Sequence, residues 1–183
     1  MPTLLGHGLF AVCLARIFHH PRLPRRFWLL AIVCAILPDI DIIGFALGIE
    51  YGSFWGHRGF THSLFFAGLV GFVVTWLGFY SSLYAAIRWR LWIFYFLVTA
   101  SHGIFDALTN GGLGIAFFAP FDNTRYFFPI TPIAVSPIGF SAFLKWGGMR
   151  VLGSELLWIG LPSVSLVAIW WLIQQVKRKK AAN

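Results

Sequence analysis

Four histidines and three aspartates fall in short groups whose spacing could do chemistry. They are His7, then Asp39 and Asp41 in Leu37-Pro38-Asp39-Ile40-Asp41, then His57 and His62 in His57-Arg58-Gly59-Phe60-Thr61-His62-Ser63, and finally His102 with Asp106. On a helix, the i,i+4 spacing of His102 and Asp106 sends both side chains off one face, where they suit one ion or two neighbouring ions. Pro38 weakens a helix locally, so Asp39 and Asp41 can both turn toward a common pocket. His57 and His62 straddle a loop-to-helix boundary, with Gly59 permitting a tight turn and Thr61 or Ser63 available to cap the helix. Mixed imidazole and carboxylate donors suit zinc first, with manganese or iron as alternatives, and suit magnesium or calcium less.

Each group also has a plainer reading. His102 and Asp106 make a buried hydrogen-bonded pair, Asp39 and Asp41 pair with Arg58, and His7 is an interfacial histidine. Taken together, four His and three Asp with Arg58 as the one nearby base are costly in an apolar setting unless cations neutralise them. The joint pattern therefore points to a divalent metal site of one or two ions. Its ligands are drawn from His7, Asp39, Asp41, His57, His62, His102 and Asp106.

The chain around these residues is a membrane protein by composition. It is 58% hydrophobic and 11% charged over 183 residues, against roughly 45–50% and about 25% in ordinary soluble domains. A soluble fold of this size cannot hide that apolar surface, and 20 Phe, 9 Trp and 5 Tyr exclude an unstructured chain. Runs of about 20 apolar residues are needed to cross the hydrocarbon core, and Phe27–Ile49, His62–Phe79, Leu91–Leu108 and Leu156–Val176 qualify. Leu4–Phe18 is a shorter fifth run, spanning or tilted. The expected fold is all-α: a polytopic membrane helix bundle of about five segments. It forms a single integral domain over 1–183, with an outer cap or hairpin over about 109–155 that is rich in Gly, Pro and aromatics. The start does not read as a cleaved signal peptide, because its basic cluster follows the apolar run. Cys13 and Cys34 sit in apolar runs and read as small buried hydrophobes rather than a disulfide.

Basic residues gather in cytoplasmic loops. Ten of the 14 Lys and Arg fall in the connection holding Arg16, Arg22, Arg25 and Arg26, in the Arg88–Arg90 connection, and in the C-terminal Lys177–Lys180. The other four, Arg58, Arg125, Lys145 and Arg150, lie on the opposite side. Five crossings then put the N-terminus outside and the C-terminus in the cytoplasm. All six acids and four of the six histidines map to the outer side; His19 and His20 fall in the inner basic loop. The inner loops are expected to meet anionic lipid.

In order, His7, PDID at 38–41, HRGFTHS at 57–63, SHGIFDALT at 101–109 and a Gly-rich stretch leading to Ala119-Pro120-Phe121 resemble the YdjM-like, LexA-regulated family of inner-membrane, metal-dependent hydrolases. The resemblance runs from His7 to about Pro129. The family is in turn distantly similar to zinc-dependent phospholipase C and its nuclease relatives, all-helical enzymes that cleave phosphate esters at a metal cluster. This chain departs from them in beginning Met1-Pro2-Thr3, where they use a processed N-terminal amine, and in lacking their later ligand helix. The resemblance implies a phosphoric ester hydrolase at the outer face of the inner membrane, with a lipid or lipid-linked head group as substrate. In that reading Asp39 or Asp41 serves water activation, while Arg58 and Arg125 grip phosphate. A nucleic-acid substrate is not expected, because the basic residues lie mainly on the other face. The same ligands would also serve a metal-binding membrane protein or a transporter without hydrolytic activity. The near absence of polar residues in the inner halves of the segments argues against a transport path.

Overall fold

The computed structural model describes residues 1–18, 20–21, 23–137, 140–145 and 147–182. His19 and Arg22, assigned by sequence to the basic connection, lie outside the described residues. The described chain is helical. Its helices are α1 (Leu4–Phe18), α2 (Arg26–Ile36), α3 (Ile43–Ala46), α4 (Leu64–Gly78), α5 (Arg88–Ala107), α6 (Phe140–Lys145), α7 (Gly148–Glu155) and α8 (Leu161–Ala182). A 3₁₀ segment, Leu37–Ile42, joins α2 to α3, and another, Phe60–His62, precedes α4. Only two isolated β-bridges, Thr109 with Ile133 and Ile115 with Tyr126, interrupt this pattern among the described residues.

α5 is the axis of the bundle, packed by α1, α2 and α4, and α8 lies against α1. Small residues at helical spacing set how closely these helices approach. Ala11 and Ala15 on α1 and Ala31 and Ala35 on α2 are fully buried, which brings the two backbones together. On α4, a Cβ at Gly71 would come 2.9 Å from the Phe96 nitrogen, so only glycine lets α4 and α5 touch there. Trp92 Nε1 donates to the Gly68 carbonyl at 3.1 Å across the same contact. Below it lies an aromatic core of Phe27, Phe79, Phe94 and Tyr95, with Phe27 and Phe94 ring centroids 4.7 Å apart.

Among the described residues, two helical stretches are long and apolar enough by length and composition to cross a bilayer, Arg26–Ala46 and Gly148–Ala181. They account for two of the about five segments expected from the sequence. α1 and α4 are apolar but have 15 residues each, about 22 Å of helix against a core of roughly 30 Å. α5 has 20 residues, but it carries Arg88, Arg90, His102 and Asp106 and is largely buried among its neighbours. Cys13 and Cys34 are free thiols, Cys34 buried.

The connection over 109–137 is held by backbone bonds to the bundle. Leu64 N–H donates to Phe117 O, Ala116 N–H to Arg58 O, and Phe128 N–H to Ala107 O, at 3.0–3.1 Å. It forms a cap over the C-terminal end of α5. The cap is tied to α7 where Ala134 N–H donates to Ser154 Oγ. Buried Glu155, at the end of α7, accepts from both the N–H and the hydroxyl of Thr3, fastening the start of α1 to the end of α7.

Candidate metal centre

Four elements converge under this cap. α1 brings His7 near its first turn, the 3₁₀ segment after α2 brings Asp39 and Asp41, the 57–62 turn brings His57 and His62, and the last two turns of α5 bring His102 and Asp106. Pro38 opens the 3₁₀ stretch, and both aspartates beyond it are buried. Ser63 caps α4, its hydroxyl accepting from Phe66 N–H at 3.0 Å. Gly103 lets the 57–62 turn close on α5, since a Cβ there would sit 2.8 Å from the His62 carbonyl oxygen. All seven sequence-derived ligands are at most 8% exposed.

Hydrogen bonding fixes which ring nitrogens are free. His102 Nδ1 lies 2.7 Å from the Ala35 carbonyl, which can only accept, so Nδ1 carries the proton. In the neutral ring Nε2 is then a lone pair, yet it faces Asp39 Oδ1 at 3.2 Å. His62 repeats the pattern. Its Nδ1 is 3.1 Å from Asp41 Oδ2, while Nε2 faces Asp39 Oδ1 at 3.6 Å and Asp106 Oδ2 at 3.5 Å. His7 Nε2 lies 3.8 Å from Asp106 Oδ1, and its ring stacks on His102 with centroids 3.8 Å apart. Lone pairs and carboxylate oxygens thus point at one another in a buried space, which is unfavourable without a positive charge between them. Asp39 Oδ2, both Asp106 oxygens, His62 Nε2 and both His7 nitrogens have no hydrogen-bond partner.

The donor set fits a metal ion. Ligand atoms held tetrahedrally about 2.0–2.2 Å from zinc lie roughly 3.3–3.6 Å from one another, close to the spacings between His62, His102, Asp39 and Asp106. These four offer ligand atoms within 4.8 Å of one another, and His7 stands beside them. A second group, Asp41, His57 and His62, is also close enough to hold an ion. Its atoms, however, are already bonded to each other. Asp41 Oδ1 meets His57 Nδ1 at 2.7 Å, and Oδ2 accepts from Arg58 N–H at 3.1 Å and Thr61 Oγ1 at 2.6 Å besides facing His62.

The two arginines assigned to phosphate are both engaged inside the protein. Arg58 is 1% exposed. Its Nε lies 3.2 Å from Asp106 Oδ2, Nη1 donates to Gly111 O at 2.6 Å and Nη2 to Thr109 Oγ1 at 3.0 Å. Its φ of 66° is unusual for a residue with a Cβ, and the bonds from Arg58 N–H and to Arg58 O hold it there. Half-buried Arg125 bonds the carbonyls of Tyr51, Ser53 and His57, pinning the loop before His57. Partial burial lowers its pKa. Asp122 is exposed, held below the usual carboxylate range by its bonds to Thr124.

Thr61, Thr109 and the Ala35 carbonyl also build the site, and sequence reasoning missed the latter two. A threonine one turn from an aspartate and a backbone oxygen carry no compositional signal. Beside the site, Thr109, Asn110, Gly111 and Gly112 line a polar recess of about 300 Å³. It shares Phe127 and Phe128 with an apolar cavity of about 370 Å³ walled by Leu64, Ile104 and Phe117.

No solved structure matches the chain. The chain is 35% identical over 172 residues to inner membrane protein YbcI of Escherichia coli strain K12, covering 93% of this chain and 98% of the relative. The family model described as YdjM inner membrane protein matches residues 1–181. The chain therefore belongs to the YdjM family of inner membrane proteins.

Proposed function

We propose that the protein is a metal-dependent hydrolase of phosphate esters, acting on a lipid or lipid-linked head group at the outer face of the inner membrane. The observation that carries this reading is the surplus of buried donors. A closed structural zinc site takes four ligands; Asp39, His62, His102 and Asp106 already offer four, His7 Nε2 adds a fifth donor 3.8 Å from Asp106 Oδ1, and Asp39 Oδ2 is left unpartnered. His62, His102, Asp39 and Asp106, with His7, would hold one divalent ion, zinc first. Such an ion supplies Lewis acidity toward water and a phosphoryl oxygen.

The residues divide the remaining work. Asp39 Oδ2 is the candidate to orient water or accept its proton. Asp41 holds the Nδ1 sides of His57 and His62, so that His62 presents Nε2 inward. Arg58 holds Asp106, and Arg125 holds the loop that carries His57. The polar recess opening onto an apolar cavity favours an amphiphilic substrate. Five crossings with the N-terminus outside would place all of this at the outer leaflet.

One observation favours a second reading, a metal-binding membrane protein without turnover: neither arginine has a free guanidinium edge for a phosphate. Elemental analysis of purified protein, followed by a hydrolysis panel of phospholipids and polyprenyl phosphates, separates the two. The hydrolase reading expects bound metal, turnover that chelation abolishes reversibly, and loss of turnover in Asp39→Asn. Metal-loaded protein inactive on both monoester and diester lipids would leave the binding reading standing.

A further inference from the structure

At the far end of the bundle from the metal centre, a cavity of about 410 Å³ opens between the end of α1, the start of α5 and α8. Arg90 of α5 lies about 24 Å along the helix from Asp106, sixteen residues at 1.5 Å each. Ile17, Ile87 and Trp170 give the cavity apolar walls, and His20, Arg90 and Gln174 give it polar ones.

Three features define what it can hold. First, its cations are fixed by rings rather than by acids. The Arg90 guanidinium sits 5.8 Å over Phe18, and that of Arg16 sits 5.5 Å over Trp170. Second, Lys177 and Arg178 follow Gln174 at i+3 and i+4, on the same face of α8. Third, no carboxylate among the described residues lies at this end. Asp39, Asp41 and Asp106 are in the metal centre, Asp122 is in the cap, Glu155 ends α7, and Glu50 lies in the loop before His57. Among the described residues, the Arg16 and Arg90 guanidinium groups here lie over aromatic faces with no carboxylate at this end, and Ile17, Ile87 and Trp170 wall the space beside Arg90.

We propose that this cavity binds the phosphate head group of an anionic phospholipid. Arg90 and Gln174 donate to the phosphate oxygens, and a chain lies along Ile17, Ile87 and Trp170. An Arg–phosphate contact is a charge-assisted hydrogen bond with directional donors, and basic pockets between helices are a known form of lipid recognition. A free phosphate offers the same oxygens but fills none of the apolar wall. The site is independent of the metal centre and of any hydrolysis there.

Native mass spectrometry of the full chain in mild detergent tests this with phosphatidylglycerol, phosphatidylcholine and inorganic phosphate as probes. The expected result is retention of phosphatidylglycerol over phosphatidylcholine, with inorganic phosphate in excess failing to displace it. Arg90→Ala should lower that preference about tenfold, the scale of one lost charge-assisted bond. Gln174→Glu, close in size, should lower it comparably by putting an anion in the cavity while keeping the packing. Arg25→Ala, an exposed charge at the same end but outside the cavity, should leave it unchanged. Equal losses in Arg25→Ala and Arg90→Ala would reduce the effect to a general surface charge and overturn the site. Displacement by inorganic phosphate, or no preference in the unsubstituted protein, would overturn it as well.

Discussion

The two ends of the bundle treat charge in opposite ways. At the capped end, four histidines, three aspartates and Arg58 are buried together and partner one another, so each position depends on several others. At the basic end, Arg16, Arg26 and Arg90 each lie over an aromatic ring of Trp170, Phe79 or Phe18. A carboxylate–imidazole cluster in a low-dielectric setting is all-or-nothing, because removing one partner leaves another unpaired. A guanidinium over a ring keeps most of its water and is neutralised weakly and locally. Substitutions at the first end should therefore propagate, and those at the second should not.

The largest effect is expected from Asp106→Ala and His102→Ala. Each removes a donor from the central group, and Asp106→Ala also strips the Arg58 guanidinium of the carboxylate 3.2 Å from its Nε. Both variants should lose bound metal on elemental analysis, whereas His20→Ala at the other end should not. Asp106→Ala should in addition destabilise the fold by about 3–5 kcal/mol, the usual cost of leaving a buried charge unpaired. Full metal content in both would remove them from the ligand set.

Next in size is Asp41→Asn. This carboxylate serves four donors and faces no open space. The amide keeps the shape but cannot accept at both oxygens, so the proton positions on His57 and His62 are no longer dictated. Loss of such an orienting partner typically weakens metal affinity about 10–100-fold. Metal titration of the purified variant reads this directly. An unchanged affinity would mean that the Asp41 group is itself the ion's seat in neither sense, as ligand or as brace.

These contrasts also mark what the sequence made legible. The types and spacing of His102 and Asp106, the break at Pro38 and the HRGFTHS turn point to convergence, because each is a local signal with a local consequence. The helical class follows from composition in the same way. The number of long apolar helices does not, because runs such as His62–Phe79 read by hydropathy alone ignore where a helix begins. α4 starts only at Leu64, after Ser63 caps it. The engagement of Arg58 with Thr109 and Gly111, some fifty residues away, depends on how the cap folds back, and nothing near Arg58 in sequence encodes that. Arginine types suggested phosphate; only the tertiary path of 109–112 shows what occupies the guanidinium.

That path makes the two arginines of the capped end separable. Arg58→Ala should reduce metal affinity, because Asp106 loses the group that holds Oδ2, and it should loosen the 109–111 backbone. Arg125→Ala should leave metal affinity close to the unsubstituted protein and instead raise protease or hydrogen-exchange sensitivity of the 51–57 loop, whose carbonyls it ties. Parallel measurements on the two variants that gave the same loss of metal would collapse the distinction.

The smallest effect is expected at the basic end. Arg26→Gln removes a guanidinium 5.5 Å from the Phe79 ring, and Arg26 is exposed while Phe79 is fully buried. An exposed cation–π contact contributes about 0.5–1 kcal/mol, and glutamine keeps part of the apolar stem over the ring. Thermal unfolding in detergent should therefore shift by only a few degrees, with metal content untouched. A shift as large as that of Asp106→Ala would show that the basic end is as tightly coupled as the capped one.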